Sequence, residues 1–137
     1  FDNIMMAGCW NLIDQDGYEL LVECQERNIK VKNVGIFAAG LLVGSSNYKY
    51  NSNIPENVKD KLQKWQKLSD TYNIPMTKLA LQFAFLPVII DHVAIGIRDG
   101  QRAIANAALF DDSETLVPLE LWKKAQSQGL IRADIEF

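Results

Sequence analysis

The chain opens on a short apolar block, Asn3–Ala7 (NIMMA), that stops at Gly8, the pattern of a fully buried strand. Asp14 and Asp16 offer caps for a helix from Tyr18 to Arg27, with Tyr18, Leu21 and Val22 on one face. Val31–Ala38 is β-branched and apolar, interrupted by Lys32 and Asn33, and runs into a turn at Gly40, so it predicts a second buried strand. Ser45–Ser52 has no period and predicts a loop. Pro55 and Glu56 begin the clearest helix, in which Val58, Leu62, Trp65, Leu68 and Tyr72 recur at helical spacing. Pro75 opens another, with Leu79 and Phe83 on one face, and Pro87 stops it. His92–Ile97 (HVAIGI) predicts a third buried strand, followed by a helix from Gln101 to Phe110. A last helix, Leu119 to Gln128, closes at Gly129, a favourable residue just past a helix end.

Buried strands alternating with helices predict a parallel sheet covered by helices, the α/β class. Three such strands leave sheet edges open, so either another chain completes the sheet or the sheet belongs to something larger. No repeat, low-complexity segment or linker divides the chain.

Composition narrows the function classes. With 48% apolar and 23% charged residues the chain predicts a folded globular domain, not a disordered one. Fourteen Lys and Arg against 17 Asp and Glu give a net charge of −3, without a basic cluster, which argues against nucleic acid as a partner. No apolar run approaches the roughly 18 residues of a membrane span, and no basic-then-apolar leader opens the chain. The first residues, Phe1-Asp2-Asn3, lack an initiator Met, as in a trimmed chain or a piece of a longer one. Cys9, Cys24 and the single histidine, His92, form no metal-ligand pattern. Two buried, reduced thiols predict a cytoplasmic protein.

The nucleotide-binding and hydrolase signatures GxGxxG, GxxxxGK[ST] and GxSxG are absent, as is the HExxH metal motif. Gly96–Gly100, between the third strand and its helix, sets backbone amides beside Arg98 and Arg102. That arrangement suits a phosphate, or is simply a turn with two solvated arginines. Trp10 and Phe37 fall at or just beyond the C-terminal ends of predicted strands, the end where parallel α/β proteins bind ligands; packing is the plainer alternative. His92 has no nearby Ser or Cys partner, Trp65 and Trp122 belong to helical core stripes, and Asp111, Asp112 and Glu114 read as a solvated acidic link.

Taken together these segments resemble the aldo-keto reductases, in particular the sugar-oxidising branch that includes D-threo-aldose 1-dehydrogenase, L-fucose dehydrogenase and L-galactose dehydrogenase. FDNIMMAGCWNLID resembles the sixth-strand segment of that branch, with Trp10, Asn11, Leu12, Ile13 and Asp14 matching its close. LLVECQERNIKV is similar to the step into strand seven, and GIFAAGLLVG to the exit from it. IPMTKLALQFAFLPVIIDHVAIGIRDGQRAIANAALF resembles the alanine-rich helix, strand eight and the helix after it, and LELWKKAQSQGLI the C-terminal helix. The likeness runs from Phe1 to Ile131 in one order.

The resemblance implies a partial (β/α)8 barrel, strands six to eight with their helices, with residues 1–137 as a single C-terminal fragment. A complete barrel takes about 250 residues. It also implies hydride transfer with NADP or NAD on a carbonyl or sugar substrate. The family's Tyr proton donor and its Lys, Asp and His partners lie on early strands, so no catalytic residue is assigned here and the isolated chain is expected to be inactive. By the same resemblance Phe37 stacks on the nicotinamide, and Ala39, Gly40 and Leu41 form the turn whose amides approach the pyrophosphate. Gly96, Arg98, Arg102 and Asn106 hold the adenosine 2′-phosphate and adenine, and Trp10 lies on the floor between nicotinamide and substrate. Ile95 and Ala105 depart from the family's Pro and Glu-type residues, and Ala7 stands near its carboxamide-holding Gln. Weak or absent cofactor binding and self-association through the open sheet are the expectations for the chain alone; a non-catalytic module pairing with itself or another chain is the alternative.

Overall fold

A computed structural model describes residues 1–49, 51–86, 88–112 and 115–137. Pro87 as a helix stop, and Tyr50 and Glu114, lie outside the described residues. The elements run β1 (Asn3–Ala7), α1 (Tyr18–Glu26), β2 (Lys30–Val34), a 3-10 turn (Leu41–Val43), α2 (Glu56–Tyr72), α3 (Met76–Ala84), β3 (Ile90–Ala94), α4 (Gly100–Asp111) and α5 (Leu119–Ser127). The strands form one sheet in the order β1-β2-β3, parallel throughout. This is the α/β arrangement the sequence predicts.

Register explains where the strands begin and end. Asn3–Ala7 pairs residue for residue with Lys30–Val34. β3 pairs with the same stretch from Ile90 to Ala94, with a shift between Val31 and Lys32 that leaves Asp91 over. β3 therefore starts two residues before the predicted His92–Ile97 and ends three residues before it, because beyond Ala94 there is no β2 backbone left to pair with. β2 in turn stops at Val34 and not at Ala38, because Gly35 takes φ +80. A Cβ at Gly35 would also stand 3.0 Å from the Gly8 amide nitrogen, which itself donates to the Val34 carbonyl at 2.9 Å.

The expectation of fully buried strands is corrected. Met6, Val31, Asn33 and Ile90 are buried under the helices, whereas Met5 is 67% exposed, and Ala7, His92 and Ala94 are exposed as well. A strand pleat turns successive side chains to opposite faces, and the described helices cover only one. α1 is similarly narrower than predicted: it buries Leu21 and Cys24, while Val22 is 41% exposed. Cys9 is half-buried and only Cys24 is fully buried; both are free thiols.

The core lies between the covered face and α2, α3 and α5. Trp65 is wholly buried and donates from Nε1 to the Leu12 carbonyl at 2.9 Å, tying α2 to the β1–α1 loop. Leu79 and Phe83 share the buried face of α3, and Trp122 is 5% exposed.

The C-terminal tail returns over the β1–α1 loop. Gln15 donates to the Leu130 carbonyl at 2.9 Å and accepts from the Arg132 amide at 3.0 Å. The Arg132 guanidinium lies 4.8 Å from the Tyr18 ring, 2.7 Å from Glu19 and 2.8 Å from Asp134. A hydrogen bond from its own backbone and then Arg132 lower the Glu19 pKa, and Arg132 foremost lowers that of Asp134. For depressed carboxylates the stabilisation is present above their unfolded values, about 4, and is lost as the pH falls through the folded ones. Protection of the Arg132 and Ile135 amides from hydrogen exchange is therefore expected to fall between pH 6 and pH 3. Unchanged protection factors would show that the tail is held unaided by Gln15 and by Gln126, whose side-chain amide donates to the Arg132 and Ile135 carbonyls at 2.7 and 2.8 Å.

Candidate functional site

The C-terminal ends of β2 and β3 diverge into a cleft of about 730 Å³. Gly35, Ile36, Phe37, Ala39 and Gly40 form one wall, Ala94 to Arg98 with Arg102 the other, and Val43 to Ser46 close the end. Six residues marked by the sequence, Phe37, Ala39, Gly40, Gly96, Arg98 and Arg102, line this single cleft. Ile36, Ile97, Ser45 and Ser46 also line it and carried no signal beyond their place beside those residues.

The turn after β2 is held in a left-handed backbone, with φ +50 at Ala38, +58 at Ala39 and +90 at Gly40. Left-handed backbone at non-glycine residues is uncommon and costs on the order of 1 kcal/mol each, and such strain clusters at functional sites. Hydrogen bonds hold it: Ala38 N–H to the Gly35 carbonyl at 3.1 Å, Gly40 N–H to Phe37 at 3.0 Å and Leu41 N–H to Ala38 at 3.2 Å. The amides of Gly40 and Leu41 are thus spent inside the turn instead of facing a pyrophosphate, and Leu41 itself is buried. Among the described residues, the Ala39 amide has no backbone carbonyl partner.

On the opposite wall the amides of Gly96 to Gln101 donate to no backbone carbonyl among the described residues. The start of α4 is not bare, however. Asp99 caps the helix, its carboxylate accepting from the Arg102 amide at 2.9 Å, with Arg102 Nε 3.7 Å from its other oxygen. Arg98 makes no ion pair among the described residues, so the mouth of the cleft keeps one uncompensated positive charge. Asn106 does not join the site: with Ala103 and Leu109 it forms the half-buried stripe of α4, while Arg102 is exposed. Spacing of four residues put the two side chains near one another on the helix but did not fix which would face the cleft.

Trp10 is not brought to the cleft either. It is wholly buried beneath the sheet, its ring 5.0 Å from Phe83 and 5.7 Å from Tyr18. The chain turns back at Gly8, φ +72, and carries Trp10 inward to the helix side.

A second cavity of about 520 Å³ flanks the same turn, sharing Ala39 with the first. Asp14, which the sequence offers as a helix cap, instead accepts from Lys49 Nζ at 2.7 Å and from the Asp16 amide at 3.1 Å. Lys49 stands in a left-handed backbone, φ +47, and Asp14 keeps its ammonium charged. Burial first, then Asp14, push the Cys9 thiol up, away from a reactive thiolate. Burial also raises the Tyr48 phenol, partly offset by Lys49. His92 lies on the open sheet face, 3.0 Å from Asp91.

The first cleft sets a strained turn opposite two arginines, but none of its described lining residues is a Tyr, His, Asp or Glu that would move a proton. No group of three or more metal-ligating side chains occurs among the described residues, and no described helix is long and apolar enough to cross a membrane.

Three parallel strands under a helical layer, with a cleft at their C-terminal ends, define an α/β protein of the class that binds ligands at that end. Its likeness to known proteins is more particular. The chain is 27% identical over 135 residues to the pyridoxal 4-dehydrogenase of Microbacterium luteolum. It superposes on the holo form of aldo-keto reductase AKR11C1 from Bacillus halodurans with a TM-score of 0.68 and 25% identity, over 98% of this chain and 44% of that one. The apo form of that enzyme gives the same TM-score at 24% identity, over 45% of its length. No family model matches. These likenesses support an aldo-keto reductase relationship and the parallel fold, while the chain spans only 38% of the dehydrogenase's length.

Proposed function

We infer that this chain forms part of the cofactor site, chiefly its adenosine end, of an NAD(P)-dependent aldo-keto reductase, a sugar or aldehyde oxidoreductase. It supplies no catalytic group. The observation that carries this is the convergence of Phe37, Ala39, Gly40, Gly96, Arg98 and Arg102 on one cleft between the ends of β2 and β3. Phe37 is half-buried, as a ring stacking on a nicotinamide would be. The relative's name points to an aldehyde-bearing ring compound as one substrate class, and the free thiols fit a cytoplasmic setting. Hydride transfer needs a proton donor beside the carbonyl, which the cleft does not hold, so no turnover is expected from this chain alone.

Adenosine binding is expected to be weak, on the order of millimolar. Arg98 and Arg102 favour a 2′-phosphate, while Asp99, drawing on Arg102, opposes it. Titrating 2′,5′-ADP and AMP while following the amide signals of Gly96–Gln101 tests this. A modest preference for 2′,5′-ADP is expected in the unaltered chain, lost in Arg102→Glu. It should grow in Asp99→Asn, which keeps a good helix cap and removes the charge. Equal, negligible shifts for both nucleotides would leave Gly96–Gly100 as a turn and nothing more.

The uncovered sheet face favours a second reading, a non-catalytic module that associates through it. Met5 at 67% exposure and the outer edges of β1 and β3, unpaired among the described residues, are the observation. Sedimentation equilibrium at micromolar concentration is expected to show a dimer or larger species, and a compact monomer would remove this reading.

A further inference from the structure

Away from both strand-end cavities, α3, α4 and α5 line a third, partly open cavity of about 400 Å³. Its walls are almost wholly apolar, with Leu81, Phe85, Leu109 and Trp122 among them. Into this apolar space comes Lys78, a residue only 8% exposed. Among the described residues its Nζ has one partner, the Asp112 carboxylate at 2.8 Å. The Asp112 side chain is 58% exposed and stands at the C-terminal cap of α4, so the ion pair is open to solvent from that side. The Gln82 amide is oriented by the link after α4: it donates to the Thr115 carbonyl at 3.0 Å and accepts from the Val117 amide at 2.7 Å. Lys78 and Asp112 are the only charged groups among the described residues lining the cavity.

An ammonium carries three donors, and one carboxylate at 2.8 Å engages only part of that capacity. A buried donor without a partner is costly, and a charged one more so. The site therefore suits a carboxylate that takes the exposed Asp112 side chain's place on the ammonium and arrives attached to an apolar body of the right volume. The volume lies within the range of small-ligand pockets, about 300–1,000 Å³. α4, whose far end forms one wall, has no fully buried residue, so it can yield to a guest at little cost in packing.

We propose that the cavity between α3, α4 and α5 binds a medium-chain amphipathic carboxylate, its chain among Leu81, Phe85 and Trp122 and its carboxylate on Lys78. The guest shares or displaces Asp112. This site is independent of the cofactor cleft, since neither Lys78 nor Asp112 lines it.

Octanoate and 1-octanol are suitable probes, equal in chain and different in charge. Trp122 reports occupancy by its fluorescence, and the other two tryptophans, Trp10 and Trp65, are wholly buried. Octanoate is expected to bind at least about tenfold more tightly than octanol, the ratio a charge-assisted hydrogen bond supplies. Lys78→Met keeps the volume and apolar contact but removes the ammonium, and should abolish that ratio while octanol still binds. Asp112→Asn removes the competing carboxylate and should tighten octanoate severalfold with octanol unchanged; this variant alters an exposed side chain and keeps the test decisive should the core variant fold poorly. Equal affinity for the two probes, binding of neither, or an unchanged ratio in Lys78→Met would each overturn the proposal.

Discussion

Trp10→Ala is expected to lower the free energy of unfolding by about 3–5 kcal/mol, the cost of emptying a large aromatic site in a packed core. Trp10 is wholly buried, with its ring stacked on Phe83 and on Tyr18. Phe83 in turn leans on Trp122, which meets Trp65 edge-on at 6.3 Å, so one chain of rings joins α1, α3, α5 and α2. Small domains hold only about 5–15 kcal/mol in total, so this single truncation removes a large share. Urea unfolding measures it: the midpoint should fall with the slope unchanged. Trp10→Phe is expected to cost much less. It keeps a stacking ring, and it deletes an indole N–H that has no hydrogen-bond partner among the described residues. If Trp10→Ala left stability intact while abolishing nucleotide binding, Trp10 would belong to the ligand after all.

Asn33→Asp is expected to destabilise by about 3–5 kcal/mol at neutral pH, as an uncompensated buried charge does. Asn33 is wholly buried on the covered face of β2, and its amide donates to the carbonyls of Trp10 at 3.1 Å and Ala84 at 3.3 Å. It links the β1–α1 loop, the sheet and the end of α3. Aspartate keeps the shape, loses both donors, and turns a carboxylate against two carbonyl oxygens. Burial and those dipoles raise its folded pKa above the unfolded value of about 3.9. The penalty is therefore full above the folded pKa and fades as the pH drops toward the unfolded one, the reverse of the tail carboxylates Glu19 and Asp134. Unfolding midpoints of the variant relative to the parent chain, compared at pH 7 and pH 5, check the sign. A variant as stable as the parent at pH 7 would mean that water reaches this position.

Some of this was legible along the chain. The apolar stripe from Val58 to Tyr72 could only be a helix, since no other backbone period brings Val58, Trp65 and Leu68 to one side. Gly129 closes α5 in a left-handed turn, φ +74, as a glycine just past a helix should. Gly35 and Gly40 mark backbone that few other residues accept. Arg98 and Arg102 stand beside the strand-end cleft because a strand-to-helix turn put them there.

The sequence by itself determined the order of elements, the parallel α/β class and the turns that border the cleft. These follow from local rules: side-chain period, glycine conformations and the backbone groups each residue can offer. Only the tertiary structure decided that Met5 and His92 lie on an open face, because NIMMA and IDHVA lack the apolar–polar alternation that distinguishes one face from the other. It alone carried Trp10 inward to Phe83, paired Lys49 with Asp14, and placed the Asp99 carboxylate over the start of α4. It alone brought residues of three helices to one cavity beside Lys78. Each of these outcomes depends on partners far apart along the chain or on which side of an element is packed, and neither is written in local spacing.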